Sequence, residues 1–204
     1  MAANVFGYAG FVAVVAVTAL LASEMTGNDS IAGIPAAAGT LGTAAAAAPL
    51  AQRSKRFGRR IGIRLGYLIG VIGCVVAFLA GQFGMFGLLV VAMAAVGVGN
   101  TANLQNRFAA ADLADEDKRA RAIAMVVWVG TVGAVVGSPS ALWANRVGID
   151  LGMEEWATPA LLGMIGFAVA GLIVTTALRP DPLEVAGGLE PDAPRHNPVQ
   201  GALE

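Results

Sequence analysis

From Leu65 to Asn106 the chain carries no charged side chain. A single helix over that run would be about 63 Å long at ~1.5 Å per residue, twice the ~30 Å hydrocarbon core of a bilayer. It has to fold back, and Gly81-Gln82-Phe83-Gly84 is the turn signal available. Four further runs lack charge: between Met1 and Glu24, Asp29 and Arg53, Arg121 and Arg146, and Glu155 and Arg179. Each holds one spanning helix of ~20 apolar residues. The expectation is therefore an all-α polytopic membrane protein with six transmembrane helices. Their limits read as Val5–Ser23, Ile31–Ala51, Arg60–Ala80, Met85–Gln105, Ala122–Ala144 and Trp156–Leu178. A composition of 56% hydrophobic and 13% charged residues agrees. Barrel strands are excluded, because their hydrophobicity alternates in ~10-residue segments. The first run lacks a basic leader and a good cleavage site, so it is expected as a retained helix and not as a signal peptide.

The net charge of −1 conceals a strong asymmetry. With six helices, twelve of the 13 basic residues fall on one side and only Arg146 on the other. The positive-inside rule makes the basic side cytoplasmic. This predicts an integral protein of the inner (plasma) membrane of a bacterium, with both termini cytoplasmic. Residues 1–179 read as the six-helix domain. Residues 180–204, rich in proline and carboxylates, read as a flexible cytoplasmic tail. Cys74 and His196 each stand alone, so neither an internal disulfide nor a Cys/His metal site is expected. No cofactor, metal or nucleic acid is implied, and no catalytic dyad is visible, so the chain does not read as an enzyme.

Three helices per triplet, with a basic loop after the second helix and an acidic one after the fifth (Asn145–Glu155), match an inverted 3+3 repeat. Small residues recur at close-packing intervals: Gly62, Gly66 and Gly70 in the third helix, Gly130, Gly133 and Gly137 in the fifth, Gly163 and Gly166 in the sixth. Such stripes let helix backbones approach closely. They serve static packing, or interfaces that slide, or both.

The loop between helices two and three is Ala51-Gln52-Arg53-Ser54-Lys55-Arg56-Phe57-Gly58-Arg59-Arg60. It is similar to G-x-x-x-D-R-x-G-R-R, the signature of major facilitator superfamily transporters. Arg56, Gly58, Arg59 and Arg60 match; Ala51 stands for the first glycine and Lys55 for the aspartate. In that family the aspartate helps latch two six-helix halves together, so Lys55 reverses the latch charge. A purely topogenic role for the loop remains the other reading. Gly97-Val98-Gly99-Asn100, Ala111-Asp112-Leu113 and Glu116 to Ala122, with Arg119 and Arg121, resemble the family's helix-four exit. The carboxylates there also suit the positive end of helix five. Gly133, Gly137 and Pro139 resemble the G-x-x-x-G-P of the superfamily's exporters, with Ser138 inserted, and a mid-helix proline bends its axis.

No acidic residue falls inside a predicted span. The best internal polar cluster lies at the inner end of helix four: Asn100, Thr101, Asn103, Gln105, Asn106 and Arg107. They line a substrate path or bond to neighbouring helices. Because helices one and four line the family's cavity, the resemblance favours Asn100, Thr101, Asn103 and Arg107 as path residues. It implies a secondary transporter subunit of half size, of exporter type, moving an unknown small molecule. The second six-helix half would be a second copy or a separate chain. The alternative is a non-transporting accessory or scaffold subunit of a larger membrane complex.

Overall fold

The computed structural model describes residues 1–178 and residue 181. Within them lie six helices: α1 (Ala2–Thr26), α2 (Ile34–Phe57), α3 (Arg59–Gln82), α4 (Phe86–Asp112), α5 (Arg119–Asp150) and α6 (Pro159–Ala177). All six are long and apolar enough to cross a membrane. One 3-10 turn, Glu116–Lys118, precedes α5. The fold is all-helical, as expected. The tail predicted for 180–204 lies outside the described residues, apart from Asp181.

Most helices overrun their predicted limits at one or both ends. Between α3 and α4 the chain reverses where predicted, with Gly84 at φ 63°. α4 continues past Gln105 through Arg107 to Asp112, because its inner polar side chains find partners on other helices. α5 continues six residues beyond Ala144, and Pro139 sits inside it without interrupting it. α6 starts at Pro159 instead of Trp156; Trp156 holds a left-handed φ of 61°, and proline suits a first helical turn.

The packing follows a two-fold pattern. α1 packs on α5 and α6; α4 packs on α2 and α3; α3 and α6 pack on each other. Exchanging α1 with α4, α2 with α5 and α3 with α6 reproduces the same set of contacts. This is the geometry of an inverted repeat. Its chemistry is matched as well. A side chain at Gly42 of α2 would run into the Ala94 carbonyl of α4, and one at Gly97 into the Gly39 carbonyl of α2. At the equivalent α1–α5 contact, Gly133 and Gly137 of α5 lie against the Val5 and Ala9 carbonyls of α1. Gly70 meets Gly99 across α3 and α4, as Gly166 meets Gly10 across α6 and α1. In lipid, such close backbone approach replaces the hydrophobic effect as the source of helix association.

Hydroxyls reinforce α2 on α4. Thr43 Oγ1 donates to the Gly97 carbonyl (2.9 Å), and Thr101 Oγ1 to the Thr43 carbonyl (2.9 Å). α2 and α5 are the least buried helices and expose Leu41 on one, and Trp128, Val135 and Trp143 on the other.

Candidate functional site

The basic loop is compressed to one residue between two helices. α2 ends at Phe57 and α3 begins at Arg59. Gly58 joins them at φ 96°, ψ 153°, a conformation essentially restricted to glycine. Lys55 and Arg56 lie in the last turn of α2, where cations suit the helix dipole. Both are exposed and neither makes an ion pair among the described residues.

Two carboxylates from distant parts of the chain close on this junction. Asp112, the last residue of α4, accepts from Arg59 Nε at 2.8 Å. Both side chains are largely buried, and the guanidinium also lies over Phe108, 5.5 Å from the ring centre. Asp181 caps the start of α3: its Oδ1 accepts from the Arg59 N–H and its Oδ2 from the Arg60 N–H, each at 3.0 Å. The free N–H groups at a helix start favour an anion there. The junction therefore ties the ends of α2 and α3 to the exits of α4 and α6.

A polar seam crosses the bundle just inside this clamp. Tyr67 Oη on α3 donates to Asn103 Oδ1 (2.9 Å) and accepts from Asn106 Nδ2 (2.8 Å). Asn106 Nδ2 also reaches Asn4 Oδ1 on α1 (3.0 Å), and Asn4 Nδ2 donates to the Val126 carbonyl on α5 (2.8 Å). Four helices are joined by side-chain hydrogen bonds of the kind that hold helices together in a bilayer.

Arg107 stands at the edge of the seam. Its Nη2 donates to Tyr8 Oη at 3.3 Å, and it makes no ion pair among the described residues. With Thr101, Leu104, Gln105 and Phe108 it lines a pocket of about 410 Å³ that Ala47 and Ala51 of α2 and Arg59 of α3 complete. Gln105 accepts from Ser54 Oγ at 3.0 Å, and its buried Nε2 has no partner among the described residues.

The predicted path residues thus divide. Thr101 and Asn103 are buried and bonded to neighbouring helices. Asn100 is half-buried and accepts a 3.5 Å bond from Asn103. Arg107 faces a pocket. Gly133 and Gly137 pack α5 on α1. At the helix-four exit, Asp112 holds Arg59, whereas Arg119 is exposed and unpaired among the described residues. The carboxylates before α5 form no side-chain cap; Asp115 instead bridges Lys118 at 2.8 Å. Sequence reasoning missed Asn4, Tyr8, Tyr67 and Asp181. Asn4 and Tyr8 are spaced i, i+4 and so share a face of α1, a polar stripe that could have been read.

Comparison with known proteins places these features in one family. The sequence model of the Major Facilitator Superfamily matches residues 1–203. YddS of Bacillus subtilis, described as an uncharacterized MFS-type transporter, is 38% identical over 97% of this chain and 45% of its own length. YdeG of the same organism, described likewise, is 36% identical over 92% of this chain and 44% of its own. The riboflavin transporter RfnT of Brucella anthropi is 29% identical over 83% of this chain and 43% of its own. The chain spans about half the length of the curated relatives it matches. It is an integral membrane protein that belongs to the major facilitator superfamily.

Proposed function

We propose that this chain forms one half of a secondary active transporter that exports a small molecule. The basic side of the chain is cytoplasmic, and a second six-helix half completes the translocation path. The observation that carries the reading is Arg107: a half-buried guanidinium without a carboxylate partner among the described residues, facing a pocket between α2 and α4 and bonded to α1. Ionisable groups that face a cavity within a membrane bundle mark substrate and ion pathways. The least buried helices, α2 and α5, offer the faces on which the second half packs. The likeness of Gly133 to Pro139 to the exporter signature supports outward transport. The clamp at Gly58, Arg59, Asp112 and Asp181 is the element that opens and re-forms as the halves rock.

The test is flux in proteoliposomes containing the chain together with a second half, with riboflavin as the first substrate tried because one relative is named for it. Gradient-driven movement that Arg107→Gln abolishes, in a protein that still folds, is the expected result. Flux unaffected by Arg107→Gln would remove that residue from the path. Two features favour a second reading, an accessory subunit that does not transport. Lys55 reverses the latch charge, and the charge-free runs place no carboxylate in the middle of any helix. A complete absence of gradient-driven flux across a broad substrate panel, with a stable foreign complex in mild detergent, would favour that reading.

A further inference from the structure

A second concavity lies on the opposite face of α2 from the Arg107 pocket. This groove, of about 470 Å³, runs between α2 and α3 with α4 as its floor. Ala45 and Pro49 form one wall, Leu65 and Ile69 the other, and Ala95 part of the floor. Arg53 is the single charged residue that lines it. Residues 45, 49 and 53 are spaced by i, i+4, so Arg53 continues the α2 wall one turn toward the basic end of the helix. The pocket on the inner side is lined instead by Ala47 and Ala51, about half a helical revolution away. The surface around the groove is apolar: Leu41, Leu68, Ile72 and Val91 are exposed. Beyond Arg53 lie Lys55, Arg56 and Arg64, all exposed, none in an ion pair among the described residues, with no acidic residue between positions 53 and 64.

An open apolar trough that ends in uncompensated positive charge at the membrane surface fits an amphiphile with an anionic head. We propose that the groove binds an anionic phospholipid of the leaflet on the basic side, with one acyl chain between α2 and α3 and the phosphate on Arg53. The small α2 and α4 side chains leave a volume of about 470 Å³ open to a chain. Arg53 supplies an exposed donor at the basic end of the groove, and the surrounding cations deepen the attraction. Arg59 is not part of this site, because Asp112 already neutralises it.

The test is native mass spectrometry of the full chain titrated with phosphatidylglycerol, and with phosphatidylcholine of the same acyl chains. One phosphatidylglycerol should bind in preference to phosphatidylcholine. Arg53→Gln should weaken phosphatidylglycerol binding about fivefold, the worth of one basic contact at an anionic surface, and leave phosphatidylcholine unchanged. Ala45→Phe fills the groove from an exposed position and should weaken both lipids. Arg121→Gln, an exposed cation elsewhere on the same side, should change neither. Equal binding by all variants would overturn the proposal. So would a loss with Arg121→Gln as large as with Arg53→Gln, which would make the attraction diffuse. Burial of Arg53 under the second half, seen as protection from arginine-modifying reagents only in the assembled protein, would overturn it in favour of a protein occupant.

Discussion

The α2–α3 and α5–α6 junctions occupy equivalent places in the two triplets, yet they are built from opposite materials. The first is the single residue Gly58, flanked by cations and closed by Asp112 and Asp181. The second is the eight-residue stretch 151–158, with Glu154 and Glu155, in which Gly152 and Trp156 both take positive φ. There the Trp156 N–H donates to the buried Asn145 Oδ1 at 2.6 Å, which holds a bulky residue in a conformation it disfavours. The helix contacts on either side remain matched, with Gly70 on Gly99 answering Gly166 on Gly10 and glycines of α2 and α5 each against carbonyls of the facing helix. The repeat therefore constrains how the helices pack and leaves the junctions free to diverge. The difference in charge between the two ends is written in the divergent parts.

The packing half of this comparison is broken by overfilling equivalent contacts. Gly42→Leu should drive α2 off α4, and Gly133→Leu α5 off α1, each costing about 3 kcal/mol or more. Thermal unfolding in mild detergent should show similar losses for both; a tolerated substitution on one side would end the equivalence. At the basic junction, Asp112→Ala leaves Arg59 largely buried and unpaired. It should cost about 2 kcal/mol, reduced from the fully buried case because both groups retain some solvent contact. A double-mutant cycle with Arg59→Ala should return a coupling near 1 kcal/mol, and additivity would remove the pair from the clamp.

Asp181→Ala removes the cap on α3 and should cost about 1 kcal/mol, with amide exchange faster at Arg59 and Arg60 than elsewhere in α3. Asn145→Ala at the acidic junction should cost somewhat less, because the Trp156 strain is relieved as the hydrogen bond is lost. The smallest effect belongs to Lys55→Asp, which touches an exposed side chain. The stability of the chain should change by no more than about 0.5 kcal/mol, while association with a second half, measured by co-purification, should shift.

The helix count was legible because charge is excluded from a bilayer interior, and five charge-free runs leave few ways to thread the chain. The helix ends were less so. Asn106 and Arg107 look like a boundary, yet they continue α4 because Asn4, Tyr67 and Tyr8 receive them. The amide cluster offered two readings, and the bonds of Thr101 and Asn103 go to other helices. Tyr67 was hidden because an isolated tyrosine in an apolar run reads as packing, and its partners are more than thirty residues away. Asp181 was counted with the tail, since nothing local marks a carboxylate as a cap for a helix more than a hundred residues earlier.

The most direct test of the account is the sidedness of the two junctions. Arg56→Cys and Glu154→Cys, each introduced singly after Cys74→Ala, place a thiol at exposed positions on the basic and acidic ends. A membrane-impermeant maleimide should label the Glu154 position in right-side-out vesicles and the Arg56 position only in inside-out vesicles. Labelling of both positions from the same side would contradict the inverted repeat.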